Sequence, residues 1–86
     1  MNINQLISIV KNKIEKNISL EYVRIEDKTF LHKDHKSNQD GKFHLKLPIM
    51  SQELKKMNKI QSTKKIYIIL DEELEKYIHS IQILII

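Results

Sequence analysis

Apolar residues near the amino terminus recur every three or four positions, which is the period of an α-helix. The members of this stripe are Ile3, Leu6, Ile7, Val10 and Ile14. Asn2 is placed to cap the start of such a helix, and Asn17 is placed to end it. The pattern predicts an amphipathic helix that packs its apolar face on a sheet.

Two later segments alternate apolar and polar residues, as half-buried strands do. The first strand is predicted over residues 18–26, and the second over residues 43–49 with one buried face. Pro48 is expected at a strand end or a sheet edge, because proline has no backbone N–H to donate. Residues 27–42 show neither period, which predicts a long loop between the two strands.

The carboxyl-terminal half predicts further helices and a last strand. Ser51 is expected to cap a helix that breaks near Asn58 and resumes through Leu70, and Asp71 is expected to cap the next helix. The apolar residues at helical spacing in these pieces are Leu54, Met57, Ile60, Leu74, Tyr77 and Ile78. Residues 81–86 are rich in isoleucine, which favours a strand because branched side chains suit a pleated surface.

The predicted order of elements is helix, strand, strand, helix, helix, strand. Three strands in one sheet with helices on a single face form a two-layer α+β domain. The length of 86 residues predicts one domain over residues 1–86. His79 lies where the last helix gives way to the last strand.

Composition limits the chemistry of the chain. No run of about 18 apolar residues is present, and the polar start does not resemble a secretory signal, so a cytoplasmic location without a membrane span is expected. The absence of cysteine excludes disulfides and any thiol chemistry by this chain alone. A site for a soft metal must therefore use histidine and sulfur from a partner. The four histidines are His32, His35, His44 and His79.

No motif of an enzyme active site is present, and a non-enzymatic protein is predicted. The serines lack a nucleophile elbow, and there is no glycine-rich phosphate loop. The acidic cluster over residues 71–75 lies at a helix start, where carboxylates stabilise the helix dipole. Three histidines could form an open zinc site, but no signature for one occurs. A structural role for a histidine at a helix end also stays open.

Three pieces near the carboxyl terminus resemble the BolA family. They are YIIL at 67–70, DEEL at 71–74 and IHSI at 78–81, which resemble that family's VYxxL, DEL and HAL pieces in the same order. SQEL at 51–54 and HL at 44–45 lie where the family has S-x-x-F and H-F, and residues 27–35 resemble its D-E-S-H-x-H-x-G-H stretch. The resemblance runs from about residue 20 onward and implies an α-β-β-α-α-β domain close to a type II KH fold.

The resemblance also implies a function. BolA-like proteins pair with monothiol glutaredoxins of the CGFS type and share a [2Fe–2S] cluster, to which the glutaredoxin cysteine and glutathione supply thiolates. The matching ligands here are His79 and, from the loop, His32 with His35 in reserve. His44 matches the family's strand histidine and is expected to face solvent at the rim of the site. The implied protein is an adaptor in iron–sulfur cluster delivery or iron regulation. It is expected to be a monomer when free, to bind no cluster alone, and to form a heterodimer with its partner.

Nucleic-acid binding in transcription regulation is the alternative, since KH-like folds often bind single strands. The net charge of +4 is compatible with it. The candidate basic face consists of Lys55, Lys56, Lys59, Lys64 and Lys65. KH domains clamp the backbone with a G-x-x-G loop, but the corresponding residues 55–58 contain no glycine. The few aromatic residues also give no stacking platform.

Overall fold

The structure, a computed structural model, describes residues 1–29 and 42–86. The elements in these ranges are α1 (Ile3–Asn17), β1 (Tyr22–Val23), β2 (Glu26–Asp27), β3 (Phe43–Met50), α2 (Gln52–Lys55), α3 (Lys59–Ile69), α4 (Asp71–Lys76) and β4 (Ile78–Ile85). The predicted order is confirmed, except that the predicted first strand is two short strands and the first of the two later helices is divided into α2 and α3. The loop candidates His32 and His35, and most of the predicted loop, lie outside the described residues.

The sheet is built around β3. On one side, β1 and β2 pair with β3 antiparallel, through Tyr22 opposite Met50 and Glu26 opposite Lys46. On the other side, β4 runs parallel to β3. The pairing of the first strand covers residues 22–27, so the prediction of a strand from residue 18 was wrong at its start: Ile18 instead ends α1 as its C-cap. The predicted α+β fold is confirmed.

Pro48 explains why the first strand is divided. It lies inside the central strand with Leu84 of β4 opposite, so its predicted place at a strand end or sheet edge was wrong. Its carbonyl accepts a hydrogen bond of 3.0 Å from the N–H of Arg24, between β1 and β2. Proline cannot return a bond toward Arg24, because it has no N–H. The hydrogen-bond ladder between the first strand and β3 is therefore interrupted between β1 and β2, opposite Pro48.

The core confirms the predicted apolar face of α1. Leu6, Val10 and Ile14 are fully buried, and the Asn2 side chain caps the helix by accepting a hydrogen bond from the N–H of Gln5. The buried apolar residues are Leu6, Val10, Ile14, Ile18, Ile25, Leu45, Leu47, Ile49, Leu54, Ile66, Leu70 and Ile78. Helices and the inner side of the sheet thus share one core. Within residues 1–29 and 42–86, no helix combines the length and apolarity of a membrane span.

The predicted break between α2 and α3 is confirmed. Ser51 caps α2 through a 3.2 Å bond from the N–H of Leu54, and Asn58 caps α3. Because the chain restarts its helical phase at Asn58, Ile60 does not continue the stripe of Leu54, and the prediction that the two share an apolar stripe was wrong. Ile60 is 80% exposed, whereas Ser62, two residues later on α3, is buried.

The start of α4 differs from its prediction. Leu70 occupies the N-cap without a side-chain bond, and Asp71 is the first helical residue, so the predicted Asp71 cap was wrong. The helix ends at Lys76. Among the acidic residues, Glu73 does more than favour the helix dipole, since its buried carboxylate lies 2.7 Å from the Lys13 ammonium. This hydrogen-bonded pair raises the pKa of Lys13 and ties α4 to α1.

A second ion pair, between Glu53 and Lys65, links the stability of the fold to pH in the acid range. The Glu53 carboxylate accepts hydrogen bonds from the Lys65 ammonium and from the N–H of Ser19. These bonds, the Lys65 bond first, lower the pKa of Glu53 from its usual 4.5. A lowered pKa contributes stability that is present above pH 4.5 and lost as the pH falls through the folded-state pKa.

We therefore expect Glu53→Gln to show a weaker loss of stability below pH 4.5 than the unsubstituted chain. The measurement is the free energy of unfolding by denaturant at several acid pH values. Glu15→Gln is the matched control, because Glu15 is 47% exposed and lies 4.0 Å from Lys11, so it should keep the original dependence. An unchanged pH dependence in Glu53→Gln would contradict the expectation.

Candidate metal centre

The start of β4 contains one extra residue. Phe43 pairs with Ile78 and His44 pairs with Ser80, so His79 has no position opposite it on β3. Such a β-bulge bends a strand and redirects its side chains, and bulges are frequent beside functional sites. Ile78 is buried in the core while Ser80 is exposed, although a regular strand would place both on one face. The bulge is what frees His79 and Ser80 from the core side.

The His79 ring carries a nitrogen that the fold leaves unsatisfied. The side chain is partly exposed, but Nδ1 is buried and has no hydrogen-bond partner among residues 1–29 and 42–86. A buried polar atom without a partner costs free energy, so it calls for an explanation. Imidazole nitrogen is a common metal ligand. Since Nδ1 is enclosed, the nitrogen that a second protein could approach at this partly exposed bulge is Nε2, and His79 fits a ligand through that atom.

His44 lies against His79, and its predicted solvent-facing position was wrong. It is 4% exposed, and its ring centroid is 4.7 Å from that of His79 with the ring planes inclined by 54°. Its Nδ1 lies 2.7 Å from Oγ of Ser80, and its backbone N–H donates to Oγ1 of Thr29 at 3.1 Å. Strand alternation does put His44 on the face opposite Leu45, as predicted. The bulge then brings two residues of β4 over it and removes it from solvent.

The structure brings together only part of the predicted ligand set. His79 and His44 are neighbours, while His32 and His35 lie outside the residues that the structure describes. The described residues contain no group of three or more histidine or acidic side chains that could hold a metal. Sequence reasoning missed Ser80 and Thr29, which anchor His44. No local pattern indicates these contacts, because they depend on how distant segments pair.

The predicted basic face is divided in the structure. Lys65 is bonded to Glu53, which neutralises its charge locally. Lys59 and Lys64 instead border an open groove along α3. The apolar residues of that groove are Ile60, Tyr67 and Ile68, which are 80%, 44% and 66% exposed. Lysine and exposed apolar side chains thus share one surface, which differs from a purely basic stripe.

Comparison with known proteins gives consistent matches. The family model described as BolA-like protein matches residues 14–86. The DNA-binding transcriptional regulator BolA of Haemophilus influenzae is 34% identical over 73 residues, which are 85% of this chain and 68% of that protein. Among solved structures, BolA1 from Arabidopsis thaliana has a TM-score of 0.78 and 27% identity, over 92% of this chain and 87% of that one. The BolA domain of SufE1 from the same plant has a TM-score of 0.79 and 22% identity, over 99% and 92% of the two chains, and supports the fold alone.

Proposed function

Because this chain belongs to the BolA-like family, we propose that it is a non-enzymatic adaptor that pairs with a CGFS-type monothiol glutaredoxin and shares a [2Fe–2S] cluster with it. The observation that carries the proposal is the His79 ring, which the β4 bulge leaves partly exposed and whose enclosed Nδ1 makes no hydrogen bond within residues 1–29 and 42–86. Structural histidines in general satisfy their buried nitrogens inside the fold. In His79 the enclosed Nδ1 finds no such partner in the described ranges, and the partly exposed side of the ring leaves Nε2 for a metal that a partner brings.

The proposed division of ligands follows from the composition of the chain. It has no cysteine, so it can contribute imidazoles and no thiolate. His79 is the ligand from β4, and His32 is the second, with His35 in reserve. The glutaredoxin cysteine and the thiol of glutathione supply the other two. When bound, a cluster with neutral imidazole ligands has a higher reduction potential than one with four thiolates, as in Rieske centres.

The residues of this chain have distinct tasks in that arrangement. The bulge places the His79 ring at the partly exposed start of β4, where another protein can reach it. The burial of Nδ1 keeps water from one side of the ring. Ile78, next to it, is buried in the core at 2% exposure and fixes the backbone on which the ring is mounted. The role proposed for this arrangement is delivery of the cluster to other proteins or regulation by iron.

Copurification tests the proposal. The chain is coexpressed with a CGFS glutaredoxin, and the complex is purified anaerobically and examined by visible absorption and circular dichroism. We expect a heterodimer whose spectrum differs from that of the glutaredoxin alone, and whose formation needs iron, sulfide and glutathione. A pair that forms equally well without iron and sulfide, or a spectrum identical to that of glutaredoxin alone, contradicts the proposal.

A second candidate function is nucleic-acid binding, which is favoured by the similarity to the DNA-binding transcriptional regulator of Haemophilus influenzae. Exposed lysines at the end of α2 and on α3 could neutralise phosphates. The candidates that remain after Lys65 is excluded by its bond to Glu53 are Lys55, Lys56, Lys59 and Lys64. Four phosphate contacts on a duplex would make the affinity fall by about 100-fold between 50 and 200 mM salt.

This alternative has its own measurement. Binding of a labelled duplex is followed by fluorescence anisotropy as salt is raised, for the unsubstituted chain and for Lys64→Gln. Phosphate binding predicts that Lys64→Gln lowers the salt slope by about one unit. Lys65→Gln is the matched control and should leave the slope unchanged, since Lys65 is held by Glu53. A slope near zero would exclude the alternative, whereas pairing through a cluster does not require any such slope.

A further inference from the structure

The His79 ring lacks the hydrogen bond that usually orients a metal-binding histidine. Ligating histidines in general donate their second ring N–H to a carboxylate, a carbonyl or a water, and this bond fixes the tautomer and the ring orientation. The buried Nδ1 of His79 has no such partner within residues 1–29 and 42–86. A ring without this bond can be oriented only by packing against its neighbours.

The ring of His44 is the group that lies against it. The two ring centroids are 4.7 Å apart and the planes are tilted by 54°, a separation within the contact range of aromatic pairs. The contact is a consequence of the bulge, because the register pairs His44 with Ser80, the residue after His79. The same irregularity that exposes His79 therefore also places the His44 ring beside it.

His44 is well anchored. Its Nδ1 lies at hydrogen-bond distance, 2.7 Å, from Oγ of Ser80, and its backbone N–H donates to Thr29 Oγ1 at 3.1 Å. Its carbonyl accepts a bond of 2.7 Å from the N–H of Lys28. At 4% exposure, the side chain has little room to change rotamer. It is a rigid surface for a neighbouring ring.

We propose that His44 is a positioning residue for His79: its ring, anchored by Ser80, fixes the orientation of the His79 imidazole in the free chain. The role of His44 rests on the proposed function, in which His79 is a ligand, because His44 acts on the cluster only through His79. A ligand that is oriented beforehand loses less conformational freedom when the partner and the cluster arrive. The His44 ring thus supplies the orienting contact, though not the choice of tautomer, that a hydrogen bond at Nδ1 would provide.

The first test uses the free chain and needs no cluster. The order of the His79 ring is measured by NMR relaxation on protein labelled with ¹³C and ¹⁵N at histidine. We expect His44→Ala to make the His79 ring mobile, and His44→Phe, which keeps a ring against His79, to restore most of its order. Ser80→Ala removes the hydroxyl group that lies 2.7 Å from the His44 ring, at a residue that is itself exposed. This variant should give the His79 ring an intermediate mobility. It decides the question if His44→Ala does not fold. An unchanged His79 ring in the folded variants overturns the proposal.

The second test uses the complex with a CGFS glutaredoxin. We expect His44→Ala to keep a mixed cluster whose circular dichroism and electron paramagnetic resonance signals are altered, and whose lifetime is shorter by about 10- to 100-fold. His44→Phe should recover most of the lifetime. A spectrum and lifetime equal to those of the unsubstituted chain overturn the proposal. Complete loss of the cluster, as expected for His79→Ala, also overturns it, because His44 would then be a ligand itself.

The two tests separate this proposal from the proposed function. If the unsubstituted chain forms no mixed cluster, the proposed function fails. The relaxation measurement on the free chain then still shows whether His44 orients His79.

Discussion

His79→Ala is expected to abolish the mixed cluster with glutaredoxin while the fold is retained. Two thiolates and one imidazole leave a [2Fe–2S] cluster one ligand short, so the complex should lose its distinctive visible spectrum. The fold should tolerate the change, because His79 lies in a bulge and its Nδ1 makes no hydrogen bond among the described residues. Loss of the contact with His44 should cost about 1 kcal/mol or less.

The measurement is visible circular dichroism of the purified complex, with thermal unfolding of the free variant as the check on the fold. Gln82→Ala is the matched control, because Gln82 is an exposed residue of the same strand and should leave the cluster unchanged. His32→Ala should act as His79→Ala does, and His35→Ala should have a smaller effect. If His79→Ala gives the same spectrum and cluster lifetime as the unsubstituted chain, His79 is a structural residue and the adaptor proposal loses its main support.

His79→Cys provides a test with the opposite chemistry. A thiolate can take the place of the imidazole, so a cluster should form again. Its reduction potential should be lower than that of the original complex, because a thiolate donates more negative charge than a neutral imidazole. Redox titration followed by visible absorption measures this change. A restored cluster with an unchanged potential would mean that residue 79 is not bound to iron.

Much of the fold could be predicted from the sequence because it depends on local chemistry. The apolar stripe of α1 and its Asn2 cap are set by residues within one or two turns, and both are confirmed. The Ser51 cap and the break at Asn58 are local in the same way. The family resemblance, which rests on short ordered motifs, is likewise confirmed by a match over residues 14–86.

The features that could not be predicted depend on the pairing of distant segments. Burial of His44 follows from a bulge in β4, and the Ser80 side chain that bonds to it is 36 residues away. Pro48 lies in the central strand at the point where the first strand is interrupted, and that point is set by the register between the two strands. Ile60 is a different case: it has the spacing of the preceding stripe, but the helical phase that begins at Asn58 turns it outward, and this local effect follows from the predicted break. For His44 and Pro48, the pairing of distant strands decided the outcome.

Removal of residues 83–86 is expected to have the largest effect on the fold. Ile83 pairs with Leu47 and Ile85 pairs with Ile49, so the carboxyl-terminal half of β4 covers one edge of the central strand. Leu47 and Ile49 are fully buried in the intact chain. The truncation would expose them together with an unpaired strand edge, which is a template for aggregation.

The size of the effect follows from the area lost. Ile83 and Ile85 pack against the core. A fully buried isoleucine side chain contributes about 1.5–3 kcal/mol, and each of these two contributes less because it is partly exposed. With the lost ladder bonds, the total reaches several kcal/mol. A domain of this length has a stability of only about 5–10 kcal/mol. We therefore expect a truncated chain that is insoluble or compact without fixed packing.

The measurement is thermal unfolding followed by near-ultraviolet circular dichroism, with binding of a hydrophobic dye as a second probe. The truncated chain should show no cooperative transition and should bind the dye. Removal of Ile86 alone is the matched control: this residue is 48% exposed and donates one backbone hydrogen bond, to the carbonyl of Ile49. That change should cost about 1 kcal/mol and leave a cooperative transition. If the chain without residues 83–86 melts cooperatively at the original temperature, the end of β4 is not part of the stable sheet.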